Sequence, residues 1–229
     1  MDKKKIILLV ITSILLIFTI AAKENIIDKN VDNDALKFKE EYENYNGKAN
    51  SNNINYLNIE INEENPIVYS NYDEIIDIIK NETAVIYFGF PECPWCRNAV
   101  PVLLDAAKEL SINKIYYYNA LEIRDQKHLD ENGNIVVDKE GTEEYKKLVE
   151  LLYNNLPVYD GLNDESIKRM YFPTVLFVKE GKVIGLHTAT LESQKNPSVK
   201  LDDNQYQELK QIYMDYMNKT FDILCDQSC

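Results

Sequence analysis

Basic residues are few in this chain of 229 residues, and their scarcity limits its partners. Lys and Arg number 25 against 38 Asp and Glu, which gives a formal net charge of −13. Proteins that bind nucleic acid neutralise phosphates with Lys and Arg and so release counterions, which an acidic surface does not do. The composition therefore argues against nucleic acid as a partner.

Histidine is scarcer still, with only His128 and His187 in the whole chain. A zinc site in a protein needs about four ligands. The two histidines lie far apart in sequence and are not spaced as a second ligand pair to accompany two neighbouring cysteines. The sequence therefore predicts no metal ion, and no motif in it calls for a cofactor.

Only one long hydrophobic run is present, and it lies at the N-terminus. Lys3, Lys4 and Lys5 precede an uncharged apolar stretch over residues 6–22, which is the order of charge and apolarity in an export signal. As a helix this stretch spans roughly 25 Å, slightly short of a comfortable membrane crossing. Residues 1–22 are therefore either a cleaved signal peptide or an uncleaved membrane anchor. Both predict an exported protein, anchored at the outer face of the cell membrane or secreted.

The four cysteines form two local pairs, and export allows both pairs to be oxidised. Cys93 and Cys96 enclose Pro94 and Trp95 at the predicted start of a helix. A helix N-terminus stabilises a thiolate at the first cysteine, so we expect Cys93 to be the exposed nucleophile and Cys96 the buried resolving thiol. A structural disulfide and half of a zinc site are the alternatives for this pair.

The second pair, Cys225 and Cys229, lies in the C-terminal tail. Residues four apart share one face of a helix, with α-carbons roughly 6 Å apart, which a disulfide tolerates. The tail pair is therefore a structural staple, a second redox pair that exchanges with Cys93 and Cys96, or a metal-binding pair.

The rest of the chain divides by composition. Residues 23–55 are polar and predict a spacer with a short helix near residues 34–45. Residues 56–224 alternate strand and helix patterns, as one domain whose segment 121–171 is an insert, and residues 225–229 form the tail. The predicted strands are 56–61, which 66–69 extends or replaces, 84–90, 115–120, 174–179 and 182–187; the predicted helices begin at 71, 94, 142 and about 202.

Two segments resemble the thioredoxin superfamily. Val-Ile-Tyr-Phe-Gly-Phe-Pro-Glu-Cys-Pro-Trp-Cys-Arg over residues 85–97 looks like its active site, and Phe-Pro-Thr-Val-Leu-Phe-Val-Lys-Glu-Gly over residues 172–181 is similar to its cis-proline strand. The exported N-terminus and the insert are similar to Gram-positive thioredoxin-like proteins of the bacteriocin transport accessory type. The resemblance implies an α/β thioredoxin fold: a central mixed sheet flanked by helices, a helical insert before the cis-proline strand, and an N-terminal apolar helix.

The resemblance also assigns roles to residues. It implies that Pro173 is cis and faces the cysteines, and that Phe172, with Pro94 and Trp95, binds substrate. One departure concerns Tyr87, which stands where thioredoxins usually carry a buried acid. Glu92, next to Cys93, is expected to point into solvent.

The expected function is an extracytoplasmic thiol–disulfide oxidoreductase. Its partners would be thiols and disulfides of exported proteins, a redox partner protein, and the membrane if the N-terminal segment is retained. Two alternatives belong to other classes: a non-catalytic accessory factor for peptide export, and a Cu(I)-binding metallochaperone.

Overall fold

The computed structural model describes residues 33–223 of the chain. The predicted signal or anchor and the tail cysteines, Cys225 and Cys229, lie outside the described residues. No helix between residues 33 and 223 is both long enough and apolar enough to cross a membrane.

Five helices and seven strands make up the described part. The helices are α1 (residues 33–43), α2 (Tyr72–Asn81), α3 (Pro94–Glu109), α4 (Glu143–Leu151) and α5 (Asp203–Phe221). The strands are β1 (Ile67–Tyr69), β2 (Ala84–Gly89), β3 (Ile115–Asn119), β4 (Gln126–Leu129), β5 (Ile135–Lys139), β6 (Thr174–Lys179) and β7 (Lys182–Thr188).

A five-stranded mixed sheet, flanked by helices, holds the core together, so the α/β class is confirmed. Its strand order is β1-β3-β2-β6-β7. β1 and β3 run parallel to the β2 direction, whereas β6 runs antiparallel to β2 and pairs with β7 in a hairpin. Every residue of β2 is buried, as its continuous apolar run predicts for a central strand. The ends of β2 and β3 and the start of β6 therefore meet at one edge of the sheet.

Local sequence signals explain where the elements begin and turn. Asn71 caps α2 and Asp202 caps α5, each with a reciprocal capping box, and such caps satisfy amide groups that the first helical turn leaves unpaired. The β6–β7 hairpin turns at Glu180 and Gly181, both with positive φ. A β-carbon at Gly181 would collide with the carbonyl of Lys80, so only glycine fits there.

The segment between β3 and β6 folds into a hairpin and the predicted helix. β4 and β5 pair in an antiparallel ladder around a turn where the Asp130 carboxylate accepts bonds from the amides of Asn132 and Asn134. Thr142 caps α4 by accepting from the amide of Tyr145. This segment brings Arg124 and Arg169 to the same edge of the sheet as the end of β2.

The strand predicted over residues 56–61 is wrong. These residues form no sheet ladder, and their alternation instead reflects side-chain bonds to the N-terminal segment. The amides of Ile59 and Ile61 donate to Asn46 Oδ1 (3.0 Å) and Glu43 Oε1 (2.7 Å). Side chains thus satisfy the backbone groups that a neighbouring strand would otherwise pair. β1 replaces the predicted strand in the sheet.

Helix α1, which lies inside the predicted spacer, is part of the core. Ala35, Phe38 and Tyr42 are at most 1% exposed, and the Phe38 ring packs edge-on against Tyr117 of β3 with centroids 4.9 Å apart. The apolar stripe is narrow, but Phe38 and Tyr42 are aromatic, and each buries a large area. At least residues 33–55 therefore belong to the folded unit rather than to a linker.

Candidate active site

The end of β2 and the start of α3 position the first cysteine pair. β2 ends at Gly89, and Cys93 is the N-cap of α3, with Pro94 at the first helical position. Proline suits that position because its missing N–H has no partner there in any helix. The Cys93 Sγ atom accepts a hydrogen bond from the amide of Cys96 at 3.3 Å. Sheet and helix thus hold both sulfurs in one turn, and both thiols are free.

The two thiols have opposite electrostatic surroundings. Burial raises the pKa of Cys93, but hydrogen bonds from the Cys96 side chain and from the Cys96 and Trp95 amides outweigh it, and the charge of Arg124 adds to them. The net result is a pKa below the ordinary value of a cysteine. Burial raises the pKa of Cys96 well above that value, and its bond to Cys93 adds to the rise. Cys93 is therefore the better thiolate and Cys96 the better proton-bearing thiol.

Cys93 is less exposed than the sequence predicts. Its exposed fraction is 6%, whereas Cys96 is fully buried. The reason is the opposite wall of the site, where the Cys93 thiol donates to the carbonyl oxygen of Phe172 at 3.4 Å. The expected difference between the two cysteines remains, but a partner must approach Cys93 through a cavity rather than from open solvent.

Pro173 forms the other side of the site. The Phe172–Pro173 peptide bond is cis, as predicted, and it lies just before β6, next to β2 in the sheet. The Phe172 ring packs edge-on against Phe90, with centroids 5.7 Å apart. This packing fixes the backbone of Phe172 beside Cys93, although 79 residues separate the two in sequence.

A cavity of about 430 Å³ opens over Cys93. Trp95 and Pro94, predicted to bind substrate, lie on its wall together with Phe172. The sequence analysis missed two cationic members of the wall, Arg124 and Arg169, because nothing in the sequence places the 121–171 segment over the cysteines. The cavity is large enough for one or two side chains of a partner. Among the described residues that line it, Cys93 carries the only thiol.

Buried tyrosines lie beneath Cys96. A hydrogen bond from the Tyr87 side chain lowers the pKa of Cys96 and partly offsets the effect of burial. The Tyr87 hydroxyl also lies 2.6 Å from the hydroxyl of Tyr42, and neither side chain is exposed. A β-carbon at Gly89 would collide with the Tyr87 ring, so this glycine leaves room for the tyrosine. Tyr87 thus puts a neutral hydroxyl next to the Cys96 thiol.

Arg97 fastens the N-terminal segment to the active-site helix. Its guanidinium is 1% exposed and donates to the carbonyls of Leu57 (2.7 Å), Tyr42 (2.7 Å) and Pro91 (3.2 Å) and to Asn46 Oδ1 (2.6 Å). These four bonds join α1, residues 46–57 and the turn before Cys93. The sequence gives no sign of this role, because the acceptors are main-chain atoms and an amide rather than carboxylates.

Glu92 does not point into solvent as expected. Its Oε1 accepts a 2.6 Å hydrogen bond from Tyr45, which raises the Tyr45 pKa to about 12. Its Oε2 is buried and has no hydrogen-bond partner among residues 33–223. The carboxylate therefore faces the N-terminal segment next to the active-site turn.

The structure also gives the contacts of the two histidines, which bear on the zinc alternative. His128 pairs with Asp138 at 2.7 Å on the exposed β4–β5 hairpin, and His187 bonds the carbonyl of Thr190 at 2.7 Å. Within residues 33–223 no three His, Cys, Asp or Glu side chains cluster closely enough to hold a metal ion. In this part of the chain Cys93 and Cys96 thus lack the further ligands that a zinc site needs.

A cavity of about 710 Å³ lies elsewhere, beside Arg97, Asn46 and Leu57. The Arg97 guanidinium already donates there to Leu57 and Asn46, and the cavity is lined by neither Cys93 nor Cys96. Reactive groups therefore converge at the smaller cavity, where the Cys93 thiol of lowered pKa and the backbone of Phe172 lie on the wall, and the Cys96 thiol is buried next to Cys93. Comparison of the chain with protein-family models and with curated proteins finds no match.

Proposed function

We propose that this protein is a thiol–disulfide oxidoreductase of the thioredoxin superfamily, with Cys93 and Cys96 as its redox pair. The observation that carries the proposal is the unequal thiol pair: Cys93 has a lowered pKa and opens to a cavity, while Cys96, bonded to it, is fully buried. A purely structural disulfide needs neither the difference in pKa nor the cavity.

The thioredoxin fold itself is part of the proposal. The sheet order β1-β3-β2-β6-β7, in which β6 alone runs antiparallel to its neighbours β2 and β7, supports it. So do the cysteine pair directly after the central strand and a cis-proline directly before its antiparallel neighbour. On this view the β4–β5 hairpin and α4 are the insert that the resemblance implies.

In the reducing direction, the Cys93 thiolate attacks one sulfur of a partner disulfide. A mixed disulfide forms between Cys93 and the partner, and the partner's other sulfur leaves as a thiolate. The carbonyl of Phe172, 3.4 Å from Cys93 Sγ, lies where the partner's main chain passes. When Cys93 is a thiolate it has no proton to donate to this carbonyl oxygen. The oxygen can then accept a hydrogen bond from a partner amide.

Cys96 completes the exchange. Its thiol loses a proton and attacks Cys93 Sγ, so the Cys93–Cys96 disulfide forms and the second partner thiolate leaves. The partner has then gained two electrons and, from water, two protons, and the cysteine pair has lost the same two electrons. The reverse sequence oxidises a partner dithiol. The high pKa of Cys96 makes its deprotonation the demanding step, and the bond from Tyr87 makes that step easier.

The partners follow from the predicted export of the chain. If residues 1–22 direct the protein out of the cytosol, its substrates are thiols and disulfides of exported proteins, and a redox partner protein must restore the cysteine pair. An uncleaved N-terminal segment would hold the site at the outer face of the membrane.

The test is turnover of a dye-quenched disulfide peptide by the full chain in detergent, with dithiothreitol as electron donor. We expect wild type to turn over and Cys93→Ser to be inactive. Incubated with the peptide without dithiothreitol, which would itself cleave the intermediate, reduced Cys96→Ser should stop at a mixed disulfide with the peptide. The same three proteins are also compared with Cys225→Ser and Cys229→Ser added to each, so that the tail thiols cannot resolve the mixed disulfide. A Cys93–Cys225 or Cys93–Cys229 bond in the Cys96→Ser protein would instead identify the tail as a second redox pair.

Two results would overturn the proposal. A Cys93→Ser variant that keeps the wild-type effect on a partner would identify an accessory factor that uses the fold as a scaffold. Absence of turnover together with stoichiometric Cu(I) binding, lost in Cys93→Ser, would identify a metal carrier.

A further inference from the structure

Two arginines on the wall of the active-site cavity have no acidic partner. Arg124 and Arg169 both line the cavity that contains Cys93. Within residues 33–223 neither guanidinium lies within 4 Å of a carboxylate, although nine lysine–carboxylate pairs form there. Arg97 also lacks a carboxylate, but its guanidinium is bonded inside the fold, whereas Arg124 and Arg169 carry their charge to the wall of an open cavity.

Two carboxylates close to these arginines in the sequence or on the cavity wall have other partners. Asp125 follows Arg124 directly in sequence, yet its Oδ2 pairs with Lys127 at 3.0 Å. Glu92 also lines the cavity, but its Oε1 accepts from Tyr45 on the side of the N-terminal segment. Two arginines against this single carboxylate leave the wall net positive, on a protein whose overall charge repels anions.

Both guanidinium groups are held in place by aromatic rings. Arg124 lies 4.8 Å from the ring centroid of Phe90, and its Nε is buried without a hydrogen-bond partner in the described part of the chain. Arg169 lies 4.3 Å from the Tyr159 ring and 5.1 Å from the Tyr171 ring, and its Nη2 donates to the carbonyl oxygen of Asp125 at 3.3 Å. Packing against rings limits the rotamers of an arginine, and this single backbone bond leaves its other donors available. Such a group is prepared to bind a planar anion.

We propose that Arg124 and Arg169 form a carboxylate-binding subsite next to Cys93, and that the preferred substrates are proteins with Asp or Glu beside the reactive cysteine. The inference rests on the proposed function and names the substrate class for it. A guanidinium binds a carboxylate through two parallel hydrogen bonds, which fixes orientation as well as position. An acidic side chain next to the partner disulfide would therefore guide one of its sulfurs toward Cys93.

The test compares two disulfide peptides that differ only in the residue beside one cysteine, Glu or Gln. Arg124 also lowers the Cys93 pKa, so the rate with one peptide cannot separate recognition from thiol reactivity. The ratio of the rates with the two peptides separates them, because both peptides react with the same Cys93 thiolate. We expect wild type to prefer the Glu peptide about tenfold, a preference that falls as salt screens the contact.

Arg124→Gln and Arg169→Gln should each lower this ratio, and the double variant should bring it close to one while it still reduces the Gln peptide. The matched control is Lys182→Gln, which removes one exposed positive charge at the far end of the sheet and should leave the ratio unchanged. Retained reduction of the Gln peptide also reports that the variants fold.

Each other outcome overturns a different statement. Equal rates with both peptides in wild type refute the subsite, as does an Arg124→Gln variant that slows both peptides by the same factor. A preference for dithiodipropionic acid over its uncharged diamide, without a preference between the peptides, would assign the subsite to small carboxylate-bearing disulfides instead of proteins. If the wild-type protein reduces neither peptide, the proposed function itself is refuted.

Discussion

The hydroxyl pair of Tyr42 and Tyr87 offers a sharp test of how the N-terminal helix supports the site. The perturbation is removal of one hydroxyl at a time, Tyr42→Phe and Tyr87→Phe, and then both. Each ring stays in place, so packing changes little. Both side chains are fully buried, and their hydroxyls lie 2.6 Å apart.

The magnitude follows from the partner that remains. Each single substitution loses a bond with a net value of about 1 kcal/mol and leaves a buried hydroxyl without that partner, at a cost of about 1–3 kcal/mol. We therefore expect each single variant to be destabilised by about 1–3 kcal/mol. The double variant leaves neither hydroxyl behind, so its destabilisation should be close to that of one single variant, with a coupling energy of about 1–2 kcal/mol.

The assay is urea unfolding followed by far-ultraviolet circular dichroism, combined as a double-mutant cycle. Single variants whose effects simply add in the double variant would refute the bond and, with it, the packing of α1 on β2. Equal slopes in urea across the four proteins are the control that the unfolded states are alike.

The same variants separate stability from chemistry. Tyr87→Phe removes the bond that lowers the pKa of Cys96, so less thiolate is present at a given pH and resolution of a mixed disulfide should slow. Tyr42→Phe is the matched control, because it lowers stability but leaves the Tyr87 hydroxyl next to Cys96. If Tyr87→Phe resolves the mixed disulfide as fast as Tyr42→Phe does, Tyr87 has no part in the exchange.

Three further predictions concern Arg97, the thiol pair and His187. Arg97→Lys should lower the free energy of unfolding by about 2–4 kcal/mol, since an ammonium cannot reach all four acceptors and leaves buried oxygens unpaired. A loss under 1 kcal/mol in urea unfolding would show that the four Arg97 bonds do not hold the N-terminal segment to α3. Alkylation of the reduced protein should modify Cys93 before Cys96, at a rate that already levels off below the pH at which an ordinary cysteine ionises; mass spectrometry that finds Cys96 labelled first would reverse the assignment. Burial lowers the pKa of His187 below 6.5, so below that pH the unfolded chain takes up a proton that the folded one does not, and stability falls as pH drops from about 6.5. His187→Gln should flatten that part of the stability curve, and an unchanged slope would show that another group is responsible.

The sequence by itself determined most of the secondary structure of the site. The apolar run of β2, the caps Asn71 and Asp202, and the turn at Glu180–Gly181 depend on contacts within a few residues, and the structure has each of them. The position of Cys93 at the start of α3 follows from the same local rules, with Pro94 at the first helical position. Patterns of this kind are readable because propensity and periodicity act locally.

Only the tertiary structure decided what surrounds the two thiols. Arg124, Phe172 and Tyr87 reach the cysteine pair from three different elements, and Tyr42 joins them from a helix that composition assigns to a spacer. Residues 56–61 look like a strand, yet Asn46 and Glu43 take the place of a neighbouring strand. Such contacts join residues far apart in the chain, and alternation or charge at one position carries no information about the partner. The sequence therefore determines the spacing of the two thiols and their position at the start of α3. The charges around them and the cavity over Cys93 arise only when the chain folds.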